Sequence, residues 1–180
     1  MIATATATLG CAATGAPSGA QTPIVLGEAP TLLALPPSPN PVVVFRLFFR
    51  SGSADDPPGR EGLTALTASW IAEGGTQKLA PAALRDKLFP MAAGLEVQVD
   101  KEATVFVGRV HRDKLGEFVP LLLDVMLAPR WDESEFRRLR ADALDDVTKS
   151  LRLDNDEELG KQALGALLWG GHPYGHTVGG

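Results

Sequence analysis

Chemistry in this chain would have to begin at a small set of side chains. It holds three histidines and one cysteine in 180 residues. His172 and His176 stand four apart, the interval at which a helix would turn two imidazoles toward one metal. Pro173, Tyr174 and Gly175 lie between them and forbid that helix. Two readings stay open: a pair of loop ligands, or a turn in which Tyr174 packs and both rings sit at the surface. His111 closes an alternating run and is read as a polar boundary residue. Ser51 and Ser53 have no histidine base to activate them, so a Ser-His-Asp triad is unsupported. Asp145 and Asp146 sit beside Arg138 and Lys149 on a charged run, which suits a solvated helix face. Gly74-Gly75 is not followed by the lysine and serine that a phosphate loop needs.

The bulk numbers narrow the classes further. Hydrophobic residues make up 44% and charged residues 22%, an ordinary globular composition, and the length suits one domain with a real core. A net charge of −5 argues against a nucleic-acid partner, which needs a basic field. No run of eighteen apolar residues is present to span a membrane. Cys11 alone allows neither an internal disulfide framework nor a multi-cysteine zinc site.

The elements that must position these groups follow from pattern. Residues 1–22, rich in Ala, Thr and Gly with almost no charge, are read as a flexible or processed leader. Leu9-Gly10-Cys11-Ala12 has the look of a bacterial lipoprotein site without the basic start and long apolar centre of a signal peptide. The leading reading is a flexible tail with an incidental thiol; the alternative is a periplasmic or envelope lipoprotein with Cys11 as the residue that would carry the lipid. Pro23–Leu26 and Thr31–Leu35 are expected as short strands around a turn. Val42–Arg50 is the clearest strand, with Val43, Phe45, Leu47 and Phe49 on one face; it is expected inside a sheet with that face wholly buried.

Leu63, Leu66, Trp70 and Ile71 then recur at helical spacing, and Gly74-Gly75 stops the helix. A helix over Pro81–Leu88, a hairpin of Leu95–Val99 with Thr104–Val110, and an amphipathic helix over Lys114–Leu127 come next. Asp132 with Glu135, and Asn155 with Glu158, form capping-box patterns. They start a charged helix reaching Leu151 and another over Asp156–Trp169. Trp70, Trp131 and Trp169 are read as core or interface anchors. This order predicts an α+β fold in which helices cover one face of a largely antiparallel sheet, with residues 23–180 as its domain.

FRSGSADDPPGREGLT, EGGT and LDND…ALLWGGHPYGHTVGG occur in an order and spacing that resemble the amino-terminal domain of the insulinase-like (pitrilysin) zinc metallopeptidases. The resemblance covers roughly residues 23–180 and implies a metallopeptidase-like α/β roll. It also implies that the domain continues past Gly180, so that this chain is incomplete at its carboxyl end and has a sheet edge that needs covering. Active members carry His-x-x-Glu-His on the central helix. Here the first histidine falls at Ala65, the general base at Ala68 and the second histidine at Ser69. The third ligand falls at Asp146, and 76 residues separate it from Ser69, matching the family's interval.

A methyl group neither coordinates a metal nor takes a proton, and one carboxylate, a methylene short of glutamate, cannot hold zinc unaided. The resemblance thus implies a non-catalytic homologue without cofactor. It would act as partner subunit or partner half of an active metallopeptidase in a chamber that binds peptides or unfolded segments. The rival is a working zinc endopeptidase with ligands moved to Asp146, His172 and His176.

Overall fold

The computed structural model describes residues 32–35 and 39–180. It divides into two compact units, Met1–Pro37 and Ser38–Gly180. In the first, residues 32–35 carry no regular structure, so the strand expected over Thr31–Leu35 is absent from its described part. The sequence supplies a reason: Pro36 and Pro37 follow directly and have no N–H to give a ladder. The leader, Cys11 and the strand expected over Pro23–Leu26 lie outside the described residues.

The second unit is built on β1 (Val42–Phe49), β2 (Gly94–Val99) and β3 (Thr104–His111), paired antiparallel in the order β1-β3-β2. The β2–β3 hairpin forms as its alternation requires. β1 alternates as expected, with Val43, Phe45 and Leu47 half-buried toward the core. It is nevertheless an edge strand of the described sheet, and Phe49 remains 45% exposed. The interior strand is β3, because it receives ladder bonds from both neighbours; Phe106, Val107 and Val110 on it are all buried.

Helices cover one face, as the periodicity predicts: α1 (Leu63–Glu73), α2 (Pro81–Leu88), α3 (Leu115–Leu127) and α4 (Glu133–Asp145). α3 presents Phe118, Leu122 and Val125 to the sheet, all buried. The Phe118 ring lies 6.0 Å from that of Phe45 and against Gly108 of β3, where a Cβ would stand 3.0 Å from its Cζ. Glycine at 108 lets the helix approach the sheet.

After α4 the chain departs from the long regular helix expected to Leu151. A π-helical turn spans Asp146–Leu151, followed by the single turn α5 (Arg152–Asp154) and then α6 (Asp156–Trp169). The Thr148 hydroxyl donates to the carbonyl of Leu144 at 2.6 Å, and such back-bonding loosens a regular ladder. Asn155 caps α6 by accepting from the N–H of Glu158 at 3.1 Å, as the capping pattern predicts. Asp132 caps α4 through Ser134 N–H instead of Glu135 N–H, at 2.9 Å, and Glu135 pairs with Arg138 at 2.9 Å. Among the described residues no helix is long and apolar enough to cross a membrane.

Replacing Gly108 by valine drives a branched side chain into the Phe118 ring. The expected outcome is a lower urea midpoint and a loss of about 1–3 kcal/mol; an unchanged midpoint would show that the helix layer does not rest on this contact.

Candidate functional site

The site begins with the entry to α1. Asp56, in the acidic turn before the helix, accepts from Gly62 N–H at 2.8 Å, Thr64 N–H at 2.9 Å and the Thr64 hydroxyl at 2.6 Å. A carboxylate there satisfies first-turn donors and meets the positive end of the helix dipole. Gly62 enters with φ +88° and is buried against Gly179, whose backbone leaves no room for a Cβ. At the other end Gly74 keeps a right-handed backbone and Gly75 takes φ +82°. The stop expected at this glycine pair is made by its second member.

α4 holds the far side in place. Trp70 packs on Phe136 at 4.9 Å and edge-on to Trp131 at 5.0 Å, which bears out the anchoring role expected of two of the tryptophans. The Arg138 guanidinium reaches Glu73 of α1 at 3.3 Å and its own-helix partners Glu135 and Asp142 at 2.9 and 2.8 Å. Its hydrogen bond to Glu135 above all raises its pKa beyond the ordinary arginine value.

Between these helices lies a cavity of about 710 Å³. α1 contributes Ala65, Ser69 and Glu73, α4 contributes Leu139, and the π-helical turn contributes Asp146 and Val147. Three of the four motif positions therefore converge on one space from elements 76 residues apart in the chain. Ala68 does not join them. It is buried on the sheet side of α1 with Ala72 and Phe106: positions 65, 69 and 73 recur every four residues along one face, and 68 lies one residue, about 100° of helix rotation, from 69.

At the mouth, the carboxyl of Glu61 is held below the usual carboxylate range by the N–H of Gly59, 2.9 Å away, and by its own N–H. A neighbouring cavity of about 460 Å³ shares Asp146, Val147 and Gly179 with the first and extends to Glu158 and Gln162 of α6.

These residues do not fit a catalytic zinc. Ala65 offers a methyl group, Ser69 a hydroxyl and Asp146 a single exposed carboxylate. Among the described residues no three His, Cys, Asp or Glu side chains gather closely enough to grip a metal ion. His172 and His176 are not brought to Asp146. The Nδ1 of His172 accepts from Tyr174 N–H at 3.2 Å, and its ring packs on Tyr174 and Trp169 at 4.8 and 5.6 Å. The Nδ1 of His176 lies 2.7 Å from the Thr177 carbonyl, a contact that makes this nitrogen the proton carrier. Asp145 pairs with Lys149 at 2.7 Å, as a solvated face should. His111 caps the turn after β3, accepting from Asp113 N–H at 3.3 Å.

The family model for the insulinases (peptidase family M16) matches residues 32–179. The chain belongs to the insulinase family. Among solved structures, the peptidase M16 inactive domain from Pseudomonas fluorescens is 24% identical with a TM-score of 0.68, over 78% of this chain and 34% of that one. Pitrilysin is 20% identical with a TM-score of 0.63, over 79% of this chain and 15% of that one. Both share the fold, and the insulinase-family chain spans about a third or less of their length. No curated protein matches it.

If positions 65, 69 and 146 face a common point, ligands can be restored there. The triple variant Ala65→His, Ser69→His and Asp146→Glu is expected to bind one zinc ion per chain by calorimetry, at least about tenfold tighter than the unmodified protein. Equal affinity would mean that the three positions are not mutually oriented as the cavity implies.

Proposed function

We propose that this insulinase-family chain is a non-catalytic homologue of the zinc metallopeptidases. In that role it binds peptide and helps to form a chamber as the partner subunit or partner half of an active relative. One observation carries the reading. The cavity is kept at the place where the family's metal would sit, while the side chains at its ligand positions are those of Ala65, Ser69 and Asp146. The longer solved relatives, one of them an inactive domain, support the same reading.

The ligand on this reading is an extended peptide added to the sheet edge beside α1. β2 is a second edge strand of the described sheet, it lies beside α1, and among the described residues no strand pairs with its side away from β3, which suits the addition of a further strand. Strand addition draws affinity from main-chain hydrogen bonds and so tolerates many sequences. On this reading the protein holds unfolded segments without cutting them.

Fluorescence anisotropy with a labelled unstructured peptide tests this. Binding is expected, and the same peptide N-methylated at alternate residues is expected to bind at least about tenfold more weakly, since its ladder donors are gone. Equal binding of both peptides, or no binding, would count against strand addition. Co-purification of a His-x-x-Glu-His relative would support the partner role, and recovery of the chain alone would weigh against it.

A further inference from the structure

Helices cover one face of the sheet, yet β1 is apolar on both. Its run VVVFRLFF is nearly continuous, the pattern of a strand buried on two sides, whereas a sheet face left to water alternates to polar residues. In the observed register Val42, Val44, Arg46 and Phe48 stand with Val105, Val107 and Arg109 of β3 and with Glu96 of β2 on the face away from the helices. Val107 is closed in between its register partners Arg46 and Glu96. Val42, Val44 and Phe48 stay exposed, Phe48 to 61%, and leave an apolar strip along this side of the sheet. Arg46 interrupts the strip and Arg50 follows it. Among the described residues neither guanidinium has an ion-pair partner.

α6 carries the complementary surface. No residue of Asp156–Trp169 is buried, and its half-buried positions Glu158, Leu159, Gln162 and Gly165 mark the side turned to the body. The opposite stripe, at steps of three and four residues, holds Asp156, Gly160, Leu164 and Leu167, with Leu168 on its flank. All three leucines are exposed, Leu167 to 83%. Glu157 is engaged by Lys161 at 2.7 Å, but Asp156 has no ion-pair partner among the described residues.

The two surfaces match in length as well as in charge. From Leu167 back to Asp156 the helix runs about 16 Å, and from Val44 on to Arg50 the chain runs about 20 Å. With Leu167 over Val44, Gly160 comes near Phe48, where its open side leaves room for the ring, and Asp156 comes between Arg46 and Arg50. We propose that a second copy of this chain lays its α6 antiparallel to β1 across this sheet face and receives the first copy's α6 in return. Every copy offers both surfaces, and the unpaired charges on them are of opposite sign. One helix-on-sheet strip falls short of the about 800 Å² per partner of a stable interface; the reciprocal contact doubles it, and a two-fold axis closes the pair. The charges set direction and register more than strength. Neither the cavity nor the β2 edge takes part, so the pairing does not rest on the peptide-binding reading, and a failed peptide experiment leaves it standing.

Sedimentation velocity of the full chain under reducing conditions, across a wide range of concentration, tests this. A reversible dimer is expected. Phe48→Lys on the sheet and Leu167→Lys on the helix each replace an exposed side chain, so the fold stands, as far-UV circular dichroism checks. Each is expected to weaken the dimer at least about tenfold. Arg50→Glu is expected to weaken it too, and Arg50→Glu combined with Asp156→Lys to recover it. A monomer at every concentration would overturn the proposal, as would assemblies larger than two. So would a dimer that keeps its affinity in either lysine variant, which would put another surface at the interface. Failure of the charge-reversed pair to recover would overturn the placement of Asp156 beside Arg50.

Discussion

α1 lies against the sheet through its smallest side chains. Ala68 and Ala72 are 4% and 8% exposed and pack with Phe106 of β3, a contact made through methyl groups alone on the helix side. This contact decides which way the helix faces. With positions 68 and 72 turned to the sheet, Ala65, Ser69 and Glu73 turn toward α4. Asp56 fixes where the helix starts, and Arg138 ties its last turn to α4. The cavity is the space left when those orientations are met.

The same contact gives a physical account of why the scaffold accepts alanine at position 68. An alanine at position 68 seals helix to sheet, so a residue type that can do no proton transfer contributes to packing instead. Ser69 and Ala65 are small enough to leave the cavity open. A helix in a family of metallopeptidases is thereby kept as a structural element, with a concave face that offers apolar walls from Leu139 and Val147 beside a few carboxylates.

Local structure was legible wherever periodicity and turn chemistry agreed. The α+β order, the hairpin, α2 with its leading proline, and the caps at Asp132 and Asn155 all follow from residue types a few positions apart. The convergence of Ala65, Ser69 and Asp146 followed only from the family resemblance, since two helices 76 residues apart carry no local signal of their contact. What stayed hidden depends on tertiary competition. β1 reads as an interior strand because its inner face is apolar; within the described sheet it lies at an edge, where a strand packed on helices has the same pattern. The π-helical turn is invisible to a 3.6-residue period, which it interrupts for one turn only. Asp56 looks like an ordinary turn residue in SADDPPG, and its role as a cap appears only once the loop folds back eight residues onto Thr64.

The central claim is that the protein binds peptide and leaves it whole. Mass spectrometry of an unstructured peptide, incubated with the purified protein in the presence of zinc and recovered from the complex, tests this directly. The account predicts a single intact mass in the bound fraction. New peptide termini that accumulate with time and vanish when a chelator is added would contradict it.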